Sequence, residues 1–283
     1  MKLFSYLMGT LLIGTSMLCH AGVDNDIPSC YTANKIPVAI PASNLEVFMV
    51  IDQTTQFDQN LKESIFQNFG NLLTGGNSFV IASFSSYAQG RYFEIQSAGA
   101  LESTVAEKAR NDISMSSMRK FDGCLVQQVN YGRKVAGDAM QKAFAGTASD
   151  IAKSDIIGSL KELSKRVQAS KAKDKILFLA SDMLENSTIT SFYGNHSVRP
   201  VDPVAEMKKV ETAKMVGDFG GARVFVLGAG LMQENAGGSN QKTGIYRDPK
   251  TVALLHEFWN KYFTASNAKL IEFGAPALLS PVR

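Results

Sequence analysis

The sequence predicts an α/β chain built on a doubly wound, mostly parallel central sheet, with one antiparallel edge strand and helices on both faces. Two observations carry this. Short continuous apolar runs recur at residues 46–51, 78–84, 175–180, 223–227 and 269–273, as strands covered on both faces read. Between most of them lie stretches of helical spacing, long enough for the crossovers that parallel strands require.

The run at 46–51 ends in the polar sequence Asp52-Gln53-Thr54-Thr55-Gln56. From 59 to 73 the period becomes helical, with Leu61, Ile65, Phe66, Phe69 and Leu72 or Leu73 on one side, until Gly75-Gly76 stops it. Strands at 78–84 and 91–96 flank a short turn and form the hairpin that supplies the antiparallel edge. Between 100 and 147 the pattern predicts a helix, a polar break over 115–122, and a second helix holding Leu125, Val129, Val135, Ala139 and Phe144. A helix over 155–169 carries Ile156, Ile157, Leu160, Leu163 and Val167 on one face. The strand at 175–180 closes on Ser181-Asp182, and a polar loop over 185–203 leads into a helix at 204–219. The strand at 223–227 ends in Gly228-Ala229-Gly230, read as a tight turn. A second long loop reaches Pro249, and a helix at 251–263 precedes the last strand at 269–273.

The first 21 residues have the order of a secretory leader: Lys2, an apolar run, then Cys19-His20-Ala21. The run is shorter than the roughly 20 residues of a spanning helix. Cleavage is expected after Ala21, which places the mature protein in the periplasm or outside the cell; acylation of Cys19 is a lesser alternative. The division is then a leader at 1–21, an N-terminal segment at 22–44, one domain at 45–275 with a helical insertion at about 100–147, and a tail at 276–283. No later segment is apolar enough to span a membrane. Basic residues are spread along the chain, the densest group being Lys171-Ala172-Lys173-Asp174-Lys175, so nothing resembles a nucleic-acid footprint. Cys30 and Cys124 remain after cleavage, in a compartment where disulfides persist, and are expected to bridge.

Ligands of such sheets bind beyond the carboxyl ends of the strands. Two apolar strands end there in Asp52 and Asp182, and the loop before the helix at 155–169 brings Ser154 to the same rim. Aspartates with hydroxyls form a hard-oxygen set that suits magnesium or manganese. The alternative is that both aspartates only cap helices and bond loop amides. His196 and His256 are isolated and suggest neither a triad nor a metal cluster.

These residues resemble the von Willebrand factor A (VWA) and integrin I-type domains. Their metal-ion-dependent adhesion site has Asp-x-Ser-x-Ser after the first strand, a Thr in a middle loop, and an Asp after the fourth strand. Asp52-Gln53-Thr54-Thr55-Gln56 is similar to the first element, with Thr54 at one hydroxyl position and Gln56 replacing the other. Ser154-Asp155-Ile156 resembles the middle element, and Ile176 to Asp182 the fourth strand with its aspartate. The resemblance implies a metal shell of Asp52, Thr54, Gln56, Ser154 and Asp182, completed by an acidic side chain of a protein partner. It implies a noncatalytic interaction module. Two further readings stand beside it: a metal-free scaffold of an envelope secretion or conjugation assembly, and a metal-dependent phosphohydrolase using Asp52. The last lacks the second aspartate two residues on, where Thr54 stands. The loops at 185–203 and 231–249 are the expected seat of partner specificity.

Overall fold

The computed structural model describes residues 25–85, 93–147, 154–194, 197–231 and 249–283. The leader with Cys19, the turn of the edge hairpin, the start of the middle loop, His196 and most of the loop before Pro249 lie outside the described residues.

The strands are β1 (Leu45–Asp52), β2 (Asn77–Phe84), β3 (Phe93–Ala100), β4 (Asp174–Ala180), the short pair β5 (Tyr193–Gly194) and β6 (Ser197–Val198), β7 (Ala222–Leu227) and β8 (Ala268–Gly274). Six of them form one sheet in the order β3-β2-β1-β4-β7-β8. All neighbours are parallel except β2 and β3, the predicted antiparallel edge. The helices are α1 (Cys30–Ala33), α2 (Gln59–Leu72), α3 (Glu107–Arg110), α4 (Met115–Ala145), α5 (Ile156–Ala169), α6 (Pro203–Thr212) and α7 (Pro249–Ala265).

Alternation along the strands divides the core. Phe48, Val50, Leu177, Leu179, Val224 and Val226 face α5, α6 and α7, where Leu160, Val210, Phe258 and Trp259 are buried. Val47, Met49, Ile51, Ile176 and Phe178 face α2 and the second half of α4, meeting Ile65, Phe69, Met140 and Phe144. Because β1 lies between β2 and β4 and is buried on both faces, truncating Phe48 to Ala would cost about 3–5 kcal/mol.

The edge strand expected at 91–96 runs on to Ala100 as β3, and three further features differ from the sequence-based expectation. No break occurs over 115–122: Ser114 caps α4, and the helix runs unbroken from Met115 to Ala145. The polar-looking first turns are helical because Met118 and Phe121 bury against Cys30, Tyr31 and Val105 in a small third cluster. Their partners come from a distant segment, which local periodicity cannot register. Next, α6 ends at Thr212 and not at 219, since Lys214 takes a left-handed φ of 58° and Met215 N–H turns back to Val210 O at 3.0 Å. Finally, the loop after β4 holds the unexpected pair β5 and β6.

The N-terminal segment is anchored on this frame. Asp26 N–H donates to Ala98 O at 2.8 Å, and buried Glu102 accepts from Ser29 Oγ (2.6 Å) and Cys30 N–H (2.7 Å). Gln128 of α4 donates to Pro28 O at 2.8 Å and accepts from Glu102 N–H at 2.7 Å. The predicted Cys30–Cys124 disulfide joins the same two elements, with Cα atoms 5.8 Å apart. At the other terminus Val282 is buried in the second core, its N–H on Asn68 Oδ1 at 2.9 Å. No described helix is long and apolar enough to cross a membrane.

The bridge closes a loop with a sequence separation of 94, so replacing both cysteines with Ala is expected to cost about 2–5 kcal/mol. Urea unfolding of the oxidised protein and the double variant measures this; identical midpoints would show that the polar network of Glu102 and Gln128 anchors the segment unaided.

Candidate functional site

The parallel register pairs Ile51 with Ala180, so the next residues, Asp52 and Ser181, stand side by side at the carboxyl ends of β1 and β4. Asp52 is wholly buried. Its Oδ1 accepts from Thr54 N–H at 2.9 Å and Thr54 Oγ at 2.6 Å, and its Oδ2 accepts from Ser181 Oγ at 2.7 Å and Ser154 Oγ at 3.5 Å. Hydroxyls from three separate loops therefore converge on one carboxylate. Burial pushes the Asp52 carboxyl above its ordinary range, and the donors from Thr54, Ser181 and Thr55 only partly oppose that rise. No Lys, Arg or His of the described residues forms an ion pair with it.

Asp182 lies beside this cluster and is linked to it through Thr55. Its N–H donates to Thr55 Oγ at 3.1 Å, its O accepts from Gly230 N–H at 2.8 Å, and its Oδ1 accepts from Leu184 N–H at 2.8 Å. Met183 follows at a left-handed φ of 59°, where Trp259 Nε1 holds its carbonyl at 2.9 Å. Gly228 lets the next strand end approach: at its φ of 104° a Cβ would lie 2.6 Å from Phe57 and 3.1 Å from Ser181 O. The predicted tight turn at 228–230 is thus a packing requirement of the rim.

Of the five predicted site residues, Asp52, Thr54 and Ser154 come together and Asp182 stands adjacent. Gln56 does not join them: its side chain is exposed, because Phe57 is the residue turned inward, against Phe144. Two hydroxyls were missed, Thr55 and Ser181. Their signal was present in the sequence, since each sits next to an already singled-out residue, but the adhesion-site pattern assigns roles to alternate positions only.

Glu185 was missed altogether. It is fully buried in the loop after β4, and its Oε2 accepts from Ile157 N–H at 2.9 Å in the first turn of α5. The neighbouring Asn186 N–H holds Ser154 O at 2.8 Å, and Asp155 caps α5 through Gly158 N–H at 2.8 Å. Burial, only partly opposed by donors from Ser187 and Ile157, pushes the Glu185 carboxyl up to about 8. Its Oε1 has no hydrogen-bond partner among the described residues, which also favours the protonated acid.

No protein-family model matches the chain, and no curated protein matches it. Among solved structures it is similar to an aerotolerance-related membrane protein from Bacteroides fragilis NCTC 9343 bearing multiple mutations to serines. The identity is 13%, the match covers 81% of this chain and 91% of that one, and the TM-score is 0.35. At that score the two do not superpose closely. The chain's own strands form a six-stranded mixed sheet in the order β3-β2-β1-β4-β7-β8 with one antiparallel edge.

With a folded-state pKa above the unfolded 4.5, Glu185 stabilises fully below pH 4.5, and that contribution is lost as pH rises to about 8. Glu185→Gln should therefore be more stable than the parent at pH 8, by an amount on the order of 4 kcal/mol, with the gap closing towards pH 4.5. Thermal melts across this range test it; a gap independent of pH would contradict the assignment.

Proposed function

We propose that the chain is a noncatalytic VWA-type protein-interaction module of the cell envelope or extracellular space, and that it binds partners through the rim around Asp52. The observation that carries this reading is the fully buried Asp52 carboxylate, ringed by hydroxyls and without a described counter-charge. A desolvated carboxylate in that setting is neutralised either by a proton or by a bound cation, and its hard-oxygen surroundings suit the latter.

The donor set fits a hard divalent ion. Every side chain turned to Asp52 offers oxygen, and a hydroxyl that gives its proton to Asp52 keeps lone pairs for a metal. Asp52, Thr54 and Ser154 would hold magnesium or manganese, with Ser181 orienting Asp52 and Asp182 fixing the adjacent turn. Bound there, the ion would act as a Lewis acid that accepts a carboxylate from the partner. The leader-like order of residues 1–21 supports a reading in which the protein is exported and the rim meets partners outside the cytoplasm.

A second reading also has an observation behind it. Both oxygens of Asp52 and Oδ1 of Asp182 already accept hydrogen bonds, as a metal-free scaffold requires. A phosphohydrolase is supported less, because a nucleophilic Asp52 would have to leave these bonds and Thr54 occupies the place of the acid/base carboxylate.

Calorimetric titration of the metal-stripped, exported protein with magnesium and manganese separates the first two readings. Saturable binding is expected, lost in Asp52→Ala and weakened in Asp182→Ala. Asp52→Ala should also destabilise the fold by about 1–3 kcal/mol, since it leaves buried hydroxyls unpaired, so circular dichroism must show the variant folded. No heat with the parent protein would leave the scaffold reading.

A further inference from the structure

The outward face of α4 is distinct from the rim. Ala143, near the helix C-terminus, meets the β1 loop, where Gln53 Nε2 donates to its carbonyl at 2.9 Å. Val126 lies 17 residues earlier, roughly 25 Å away along the helix axis. On this first half, Met115 is 73% and Val126 65% exposed. Met115, Arg119, Gly123, Val126 and Asn130 share one line along the helix, all exposed, opposite buried Phe121, Gln128 and Ala136.

Two glycines and two cations on the outward side of this helix have no explanation within the described residues. Gly132 lies on the buried face, where a Cβ would sit 2.4 Å from the end of the Leu101 side chain, whereas a Cβ at Gly123 or Gly137 would meet no atom within 4 Å. Interior glycines weaken a helix, so the outward two cost stability for nothing within the described chain. The helix carries Arg119, Lys120, Arg133, Lys134 and Lys142 against Asp122 and Asp138. Both acids are taken, Asp122 by Arg110 and Asp138 by Lys134. Arg119 and Lys120 have no ion-pair partner among the described residues.

We propose that the first half of α4 is a docking surface for an acidic partner protein, one whose apolar side chains cover Val126 and whose carboxylates pair with Arg119 and Lys120. Charge complementarity selects this occupant: a second copy of the same face would bring like charges together. The smooth line past Gly123 admits a closely approaching helix.

Two synthetic helical peptides with the same leucine stripe, one flanked by Glu and one by Lys, test the proposal by fluorescence anisotropy on the exported protein in EDTA. The Glu peptide is expected to bind at least about tenfold more tightly than the Lys peptide, more weakly as salt rises, and about tenfold more weakly to Val126→Glu and to Arg119→Glu/Lys120→Glu. Thermal melts confirm that both variants are folded. Chelation removes any contribution of the rim, so failure here and failure of the metal reading are separate. Equal binding of both peptides, or binding that ignores Val126→Glu, overturns the proposal. So do phosphatidylglycerol vesicles bound in preference to either peptide, which would make the face a membrane contact, and a Val126-dependent dimer in sedimentation, which would make it a self-interface.

Discussion

A carboxylate at the buried end of the central strand must be satisfied, and the rim is organised by that need. Asp52 is buried away from bulk water, and both of its carboxylate oxygens accept hydrogen bonds from the protein. The donors come from the turn after β1, the loop before α5 and the turn after β4. Meeting one buried charge thereby fixes three loops relative to one another. Thr55 and Gly230 extend the set to Asp182 and the end of β7.

The sheet makes the site possible because its central strands leave no choice of register. Residues of β1 alternate between two apolar layers, and a slip by one would turn Phe48 and Val50 out of one layer and Asp52 with them. Asp52 is thus placed by the burial of its neighbours. Around this core, α4 serves two purposes: its second half covers the sheet through Ala139 and Met140, and its first half holds the N-terminal segment through Gln128 and Cys124.

The sheet, its edge hairpin and most helices were legible in the sequence because strands buried on both faces are uniformly apolar and the helices are amphipathic. Asp52 and Asp182 were legible as the polar residues that end such runs. Long-range partners were not. The first turns of α4 look polar until Tyr31 packs on Phe121, ring centroids 4.8 Å apart. Gln56 is exposed and the unassigned Thr55 is buried because Phe57 seeks the core. Glu185 resembles any loop glutamate, and only the tertiary fold shows it buried beneath α5.

The most direct test is anomalous diffraction from crystals of residues 22–283 grown with manganese. A peak bounded by Asp52, Thr54 and Ser154, with Gln56 outside it, is expected. Well-ordered hydroxyls closed on Asp52 and no anomalous density at the rim would contradict it, leaving Asp52 as a structural hub alone.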